Sequence, residues 1–374
     1  MSSAIVLGGG IVGTAAAWDM ARRGHQVTVA DQDLTAASAA AEVAGATPAE
    51  LDARDGDAVR RMLDPHDIVV SALPYSFGMA IASAAVDTRT HYLDFGGNPS
   101  IVAAQRSLDA AAREAGIAVI PDCGLAPGMA NVLATGAVEA IGEGPIDEVR
   151  LRVGALPAHP RGALGYQLAF NPAGLINEYA EPCEVLHGGV REEVEPLTEI
   201  EEIAWEGWGP LEAFHTAGGS SSLPDRWEGR VASLDYKTLR FPGHAAIMRA
   251  MLEVGLFDED PQPGTGVAPR SVLLEALAQH LPRGAEDVVL VRVWAVADRG
   301  GRRRVVGHQV EDRHDGTFSA LARTTAFPTT ALAHLLATGS VSVRGVATME
   351  ESFQAEEMMG ALAEVGVRAT PIPD

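Results

Sequence analysis

The glycine pattern near the amino terminus constrains the fold of this chain more than any other feature. A short apolar run at residues 4–7 leads directly into a G-x-G-x-x-G motif that begins at Gly8. An alanine-rich segment suited to a helix follows, and a second apolar run then ends at Asp31. A strand, a glycine turn, a helix, a second strand and an acid within about 30 residues are typical of a dinucleotide-binding βαβ unit.

Each position of the motif has a physical reason in such a unit. Gly8 permits the tight turn, Gly10 lets the backbone approach a pyrophosphate, and Gly13 lets the helix pack closely against the strand. The first helical turn, which contains Ile11 and Val12, offers free N–H groups and the positive end of the helix dipole to the phosphates. These five residues are therefore predicted to bind a dinucleotide.

Asp31 indicates which dinucleotide this is. An acid at the end of the second strand accepts hydrogen bonds from the ribose hydroxyls and repels a 2′-phosphate. Gln32 follows, at a position where a chain that binds NADP often carries arginine. We therefore expect the cofactor to be NAD rather than NADP.

The apolar runs after the second strand predict a doubly wound parallel sheet. Alanine-rich helical segments separate these runs as far as residue 121, which is the alternation of a Rossmann-type α/β fold. Ligands of such sheets lie beyond the carboxyl ends of the strands, so we expect residues 71–75, 94–98 and 122–129 to surround one crevice. The further residues expected to contact the cofactor are Asp55 on the adenine side, Ala72, Leu73, Pro74, Gly97, and Cys123 as a small buried residue that lines the nicotinamide pocket.

The character of the sequence changes near residue 127. Strand candidates become more polar, and residues 288–296 and 303–310 resemble the two strands of a hairpin. From residue 327 the chain returns to alanine-rich helical segments. We expect a Rossmann domain, an inserted α+β domain with a mixed sheet, and C-terminal helices that pack back on the Rossmann domain, at residues 1–126, 127–326 and 327–374.

Composition excludes several classes of function. The net charge of −22 argues against nucleic acid and against an anionic membrane surface, since both require a basic face. No apolar run approaches the roughly 20 residues that span a bilayer, and no export signal is evident. The two cysteines form no disulfide framework, and the histidines lack the spacing of metal ligands. We expect a cytoplasmic protein without a metal.

Lys237 is the only lysine among the 28 basic residues of the chain. It lies within a short segment that also contains Tyr236, Arg240 and His244. A buried ammonium can lose its proton and a guanidinium cannot, so Lys237 is able to do something that arginine cannot. Clustered titratable groups are typical of active sites, although an arginine-rich composition can also leave one lysine by chance.

Four segments, at residues 121–129, 174–179, 211–219 and 236–237, occur in an order that resembles the saccharopine dehydrogenase-like family. The resemblance covers essentially the whole chain and is closest to the lysine 6-dehydrogenase branch. It implies NAD-dependent oxidative deamination of the lysine side chain by a homodimer or homotetramer. One departure concerns Ala126, because saccharopine-forming relatives often carry an acid there.

The implied reaction moves a hydride from the lysine Cε to the nicotinamide and leaves an imine. Hydrolysis then gives ammonia and 2-aminoadipate 6-semialdehyde, which cyclises to piperideine-6-carboxylate. The reacting amine must be neutral, and deprotonating it at pH 7 costs about 4–5 kcal/mol. The candidate proton acceptors, in falling order, are Lys237, His244 and Asp122. Lys237 is equally well suited to hold the substrate carboxylate as a fixed cation.

The other polar residues of these segments are candidates for substrate binding. Arg240 can grip a carboxylate through two parallel hydrogen bonds. Glu178 and Glu212 can recognise ammonium groups, and Tyr236 can donate a hydrogen bond to the imine or the carboxylate. Thr216, in the third segment, completes the set.

Two other functions remain open at this stage. The first is the reductive joining of an amine to an aldehyde or keto acid, as saccharopine and carboxynorspermidine enzymes do. The second is an NAD-binding sensor without turnover.

Overall fold

The computed structural model describes residues 2–96, 98–168, 171–284 and 286–372. The chain forms two compact units. Residues up to Gly136 and Leu321–Ala369 make the first, and Ala137–Ala320 with the chain end from Thr370 make the second. The second unit is thus inserted into the first, and the chain returns to the first unit at Leu321.

The first unit contains a seven-stranded sheet whose paired strands are parallel. Its strands are β1 Ser3–Leu7, β2 Gln26–Asp31, β3 Thr47–Glu50, β4 Ile68–Ser71, β5 His91–Asp94, β6 Ala118–Ile120 and β15 Gly345–Val346. They lie in the order β3-β2-β1-β4-β5-β6-β15. The first six follow the strand order of a dinucleotide-binding fold, so the Rossmann-type prediction is confirmed.

Helices alternate with these strands. They are α1 Ile11–Arg22, α2 Leu34–Ala44, α3 Gly56–Leu63, α4 Gly78–Thr88, α5 Pro99–Gln105, α6 Asp109–Ala115, α7 Met129–Ile141, α12 Ala320–Ala337, α13 Met349–Ser352 and α14 Ala355–Ala363. Leu63 and Ile81 from helices pack on Ile5, Val69 and Tyr92 of the sheet. Burial on both faces explains why these strands read as continuous apolar runs.

The second unit contains a nine-stranded mixed sheet. Its strands are β7 Ile146–Pro157, β8 Cys183–His187, β9 Val190–Val194, β10 Glu201–Trp205, β11 Gly209–His215, β12 Val231–Arg240, β13 Asp287–Asp298, β14 Arg303–Arg313 and β16 Ala369–Pro371. The main path runs β10-β11-β12-β7-β13-β14-β16, and β8 pairs with both β12 and β9. β12 and β7 are parallel, whereas β13 and β14 form the predicted antiparallel hairpin.

The helices of the second unit cover one face of this sheet. They are α8 Pro172–Ala180, α9 Leu223–Trp227, α10 His244–Glu253 and α11 Pro269–His280. Tyr179 of α8, Met248 of α10 and Leu273 of α11 pack with Phe214 of β11 in one cluster. Leu239 and other apolar side chains of the sheet form a second cluster.

Asp55, predicted to contact the adenine side of the cofactor, lies after β3 at the start of α3. β3 ends at Glu50, so Asp55 does not close a strand. Its carboxylate accepts hydrogen bonds from the backbone N–H groups of Asp57 and Ala58, both at 3.0 Å. Asp55 therefore caps the N-terminus of α3, a role that short acidic side chains commonly take.

Within the described residues, no helix is both long enough and apolar enough to span a bilayer.

Candidate functional site

The glycine loop has the geometry expected of a phosphate cradle. Gly8 has a φ of 100°, and a Cβ there would lie 2.9 Å from the carbonyl oxygen of Ala72. A Cβ on Gly13 would lie 1.9 Å from the carbonyl oxygen of Gly8, so both positions require glycine for the loop itself. A Cβ on Gly10 would meet no protein atom within 4 Å. Gly10 therefore leaves space over the helix N-terminus, which fits an approaching pyrophosphate.

Asp31 fixes this loop to the end of β2. Its carboxylate accepts hydrogen bonds from the N–H of Gly9 at 2.7 Å and from the N–H of Asp33 at 2.9 Å. Asp33 in turn caps α2. Two carboxylates thus lie where a ribose would approach. Ile11, at the start of α1, keeps 63% of its surface exposed although it is apolar.

The segment after β4 borders the same loop. The N–H of Ala72 donates to the carbonyl of Leu7, so Ala72 lies beside the end of β1. Leu73 and Pro74 follow it directly. Gly97, also predicted to bind the cofactor, lies outside the described residues.

Cys123 lies in the loop after β6 and is buried. Its side chain is fully buried, and the thiol donates to the carbonyl of Ile120 at 3.2 Å. Burial, with the nearby negative charge of Asp94, raises the pKa of the thiol well above its ordinary value. The thiol therefore stays protonated, and the predicted contact of Cys123 with the nicotinamide stays a prediction.

The same loop holds Asp122 in an unusual backbone conformation. Asp122 has a φ of 60°, in the left-handed region that non-glycine residues seldom adopt. Its N–H donates to the carboxylate of Asp94 at 3.0 Å. The predicted role of Asp122 as a proton acceptor stays a prediction.

In the second unit, the alternation of β12 divides the predicted catalytic cluster. Successive side chains of a strand point to opposite faces. Tyr236 and Arg240 therefore share one face with Thr238, whereas Lys237 lies on the other face with Asp235. The structure does not bring Lys237 together with Arg240.

Lys237 belongs to a charged network on its own face. Its ammonium donates to the backbone carbonyl of Glu199 at 2.7 Å and lies 3.7 and 3.9 Å from the carboxylates of Glu199 and Glu201. Arg152 pairs with Glu201 and with Asp235 beside it. Glu199 also contacts His215 at 3.0 Å. With these partners, Lys237 ties the segment before β10 to the sheet. Its role as a base or as the carboxylate anchor stays a prediction that these contacts do not favour.

Arg240 lies at the start of a hydrogen-bond chain on the opposite face. Its Nε donates to the hydroxyl of Tyr179 at 3.1 Å, and that hydroxyl lies 3.0 Å from Nε2 of His244. Nδ1 of His244 lies 2.9 Å from the carbonyl of Leu164. Because a carbonyl only accepts, Nδ1 carries the proton and Nε2 accepts from Tyr179. The guanidinium also lies over the ring of Tyr166, 5.1 Å from its centre.

His244 is therefore not available as a base. It is 1% exposed, and both ring nitrogens have protein partners. Burial and the charge of Arg240 lower the pKa of His244 to about 3. The imidazole is held neutral with both nitrogens occupied, which does not favour the proton-acceptor role; that role stays a prediction.

Among the buried cations of the second unit that the structure describes, Arg240 is the one that forms no ion pair with a carboxylate. It is 3% exposed. The acid whose charge acts on the pKa of Arg240 is Glu178 of α8. The carboxylate of Glu178 makes no hydrogen bond or ion pair with a described residue. Glu178 keeps some exposed surface. Removal of its carboxyl group from water nevertheless raises its pKa to about 7, although the positive charge of Arg240 acts in the opposite direction.

Hydroxyl groups line the same face beside Arg240. Thr216 and Thr238 share a hydrogen bond of 2.7 Å, and Thr238 lies 3.4 Å from the hydroxyl of Tyr236. Burial and the charge of Glu178 raise the pKa of Tyr236 to about 12, so its phenol stays a donor. A Cβ on Gly219 would lie 2.3 Å from the ring of Tyr236, which shows how closely the backbone covers that ring.

Glu212 supports this face from within the protein. Its two carboxylate oxygens accept hydrogen bonds from the N–H of Gly243 at 2.9 Å and of Ala245 at 2.6 Å. Both oxygens thus cap the N-terminus of α10. Glu212 thus anchors α10, and its predicted recognition of a substrate ammonium stays a prediction.

Two family models match nearly the whole chain. The saccharopine dehydrogenase NADP binding domain matches residues 4–120, and the saccharopine dehydrogenase C-terminal domain matches residues 124–367. The chain belongs to the saccharopine dehydrogenase family. The family resemblance inferred from the sequence is thus confirmed.

Curated relatives are distant and longer than this chain. Saccharopine dehydrogenase [NADP(+), L-glutamate-forming] of Pyricularia oryzae is 26% identical over 274 residues, which are 70% of this chain and 59% of that protein. The mitochondrial alpha-aminoadipic semialdehyde synthase of Rattus norvegicus is 25% identical over 223 residues, which cover 55% of this chain and 23% of that protein. The matched part therefore spans between 23% and 59% of the length of these two relatives.

A solved structure shows the same fold. Apo saccharopine dehydrogenase (L-Glu forming) from Saccharomyces cerevisiae covers 100% of both chains with a TM-score of 0.82 at 17% identity. This likeness confirms the fold class.

Within the described residues, no group of three or more histidine, cysteine or acidic side chains is arranged to hold a metal ion.

Proposed function

We propose that this chain is an NAD-dependent dehydrogenase of the lysine ε-amine. It forms ammonia and 2-aminoadipate 6-semialdehyde, which cyclises to piperideine-6-carboxylate. The observation that carries the proposal is Arg240, a buried guanidinium without a carboxylate partner among the described residues.

A buried charge without a partner is costly, so its presence needs an explanation. Arg240 keeps its charge because guanidinium does not deprotonate in proteins. The carboxylate of an amino acid would complete the ion pair and accept charge-assisted hydrogen bonds. Arg240 therefore supports a substrate that carries a carboxylate.

Glu178 supports an amine as the second group of that substrate. A carboxylate beside Arg240 can bind an ammonium group and then accept its proton. With a pKa of about 7, Glu178 is closely balanced between its two forms near neutral pH, as a general base requires. In this proposal Glu178 takes the proton-acceptor role that the sequence assigned to Lys237 and His244.

The residues of the first unit would hold the cofactor. Gly8, Gly10 and the N-terminus of α1 would bind the pyrophosphate, and Asp31 the ribose. A nicotinamide dinucleotide supplies the hydride acceptor for such a reaction. The matched family model and the Pyricularia oryzae relative are named for NADP. The carboxylates of Asp31 and Asp33 favour NAD for this chain, because they would repel a 2′-phosphate.

A second candidate is the saccharopine-type reaction, which the names of the relatives favour. Saccharopine carries three carboxylates, so its binding requires several cations. Of the described buried cations in the second unit, Arg152 and Lys237 already have carboxylate partners, and Arg240 does not. This distribution favours an amino acid with a single carboxylate.

A spectrophotometric screen separates these functions. NAD and lysine are supplied to one sample, and NADH, an amino acid and an aldehyde or keto acid to another. Reduction of NAD by lysine supports the proposal, whereas oxidation of NADH only in the second sample supports the saccharopine-type reaction. Binding of NADH without either activity would identify a sensor.

A further inference from the structure

We infer that Tyr179 and His244 are positioning residues that fix the orientation of Arg240 towards the substrate carboxylate. The inference rests on the proposed function for the identity of the ligand. The hydrogen-bond chain on which it depends is a property of the protein itself.

The hydrogen bonds from Arg240 to Leu164 all run in one direction. Arg240 donates through Nε to Tyr179, Tyr179 donates to His244, and His244 donates to the carbonyl of Leu164. Each group uses one donor, and the chain ends on a backbone carbonyl that only accepts. Reversal would require the guanidinium to accept a hydrogen bond, which it cannot do. The rotamers of Tyr179 and Arg240 are thereby coupled.

Two further contacts restrict the guanidinium. Nη1 of Arg240 donates to the carbonyl of Leu239 at 2.9 Å, and the ring of Tyr166 lies over the guanidinium plane. Nη2 makes no hydrogen bond to a described residue. The protein thus uses the N–H of Nε and one N–H of Nη1. The N–H groups of Nη2 remain for a ligand. A planar donor held in this way loses little freedom when it binds a carboxylate.

The position of His244 is itself fixed. Glu212 holds the N–H groups of Gly243 and Ala245, the two residues that flank His244. His244 also packs edge-on against Tyr166 and Tyr179, with ring centres 5.4 and 5.7 Å apart. The backbone around His244 therefore cannot shift without breaking the cap of α10.

The test compares Tyr179→Phe with the wild-type protein. This variant keeps the ring and removes the hydroxyl that joins Arg240 to His244. We expect KM for lysine to rise about 10–100-fold, as for the loss of a hydrogen bond to a charged group, while kcat changes less than about threefold. The affinity for NADH should not change. A matched control is Thr330→Val, which removes a buried hydroxyl bonded to Asp19 in the first unit.

A conservative variant distinguishes positioning from general stability. The side-chain oxygen of His244→Gln can still accept from Tyr179, whereas His244→Leu offers no acceptor. We expect KM for lysine to rise in His244→Leu and to stay close to the wild-type value in His244→Gln. Equal KM values in the two variants would overturn the role of His244.

A spectroscopic measurement does not depend on turnover. In protein with ¹⁵N-labelled arginine, the Nε–H signal of Arg240 is assigned by its absence from Arg240→Lys. We expect this proton to exchange slowly with solvent in the wild type and at least about tenfold faster in Tyr179→Phe, because the protecting hydrogen bond is removed. Unchanged exchange overturns the inference. If lysine is no substrate, the proposed function fails, and this exchange rate still decides whether Tyr179 positions Arg240.

Discussion

Arg240 and Lys237 lie three positions apart on β12 and extend to opposite faces of the sheet. Lys237 has carboxylate neighbours, and Arg240 has none among the described residues. Lys237 therefore connects a loop to the sheet, and Arg240 is the cation that we propose binds the substrate carboxylate. Substitutions at the two positions should separate stability from substrate binding.

Lys237→Met should lower stability and leave substrate binding intact. The variant loses the hydrogen bond to the carbonyl of Glu199, at a cost of about 1 kcal/mol, because Glu199 is exposed and water can replace the lost donor. Urea unfolding and KM for lysine measure the two effects. A KM that rises tenfold or more without loss of stability would return Lys237 to the substrate site.

Asp31→Asn should weaken the preference for NAD. The amide oxygen can still accept from the N–H of Gly9, but the charge that repels a 2′-phosphate is lost. We expect the ratio of the NADPH and NADH dissociation constants to fall about tenfold, since one unit charge near a phosphate contributes on the order of 1 kcal/mol or more. Titration calorimetry measures both constants. Asp57→Asn, an exposed acid on α3, is the control, and an equal change in that variant would refute the assignment.

Glu178→Gln should change the pH dependence of turnover. The pKa of Glu178 is raised to about 7, so its carboxylate forms as the pH rises through that value. We expect kcat/KM of the wild type to show a break near pH 7, in addition to the rise caused by deprotonation of the amine. The variant should lose this break, and its kcat/KM should be about 10²–10⁴-fold lower than that of the wild type. A break that persists in Glu178→Gln would exclude Glu178 as the proton acceptor.

The same pKa shift predicts an effect on stability. Because the folded-state pKa of Glu178 lies above the unfolded value of 4.5, its stabilising contribution is complete below pH 4.5 and is lost as the pH rises through about 7. Glu178→Gln should therefore unfold at the same or a higher temperature than the wild type at pH 8. A clearly lower melting temperature at that pH would show that the ionised carboxylate stabilises the fold.

His244 should make the protein sensitive to acid. Its pKa is lowered to about 3 in the folded state, against 6.5 in the unfolded chain. The stability it contributes is complete above pH 6.5 and is lost as the pH falls towards 3, because the unfolded state takes up the proton first. Between pH 6.5 and 4, the melting temperature of His244→Gln should fall less than that of the wild type. His159→Gln, which changes an exposed histidine, should behave as the wild type does.

Local patterns were sufficient to predict the first unit. The motif at Gly8 and the alternation of apolar runs gave its strands, because each is a short-range signal. β15 was missed, since two residues are too few to show a period. The alanine-rich segment before β6 is interrupted, since it forms α5 and α6 with a short 3₁₀ turn between them.

The site of the second unit was predicted only in part. Arg240, Tyr236 and Glu178 were named, but proximity in sequence was taken for proximity in space. The period of two along β12 would have separated Lys237 from Arg240 and added Thr238. The contact of Tyr179 with Arg240 joins residues 61 positions apart, so no local pattern could reveal it.

The most direct test of the account compares lysine with 1,5-diaminopentane, which has the same chain and amines but no carboxylate. Initial rates of NAD reduction are measured with the wild type and with Arg240→Leu. We expect the wild type to favour lysine by about 100-fold or more in kcat/KM, as a desolvated charge pair can provide, and the variant to lose most of that preference. An Arg240→Leu protein that still favours lysine as strongly as the wild type would contradict the assignment of Arg240 as the carboxylate anchor.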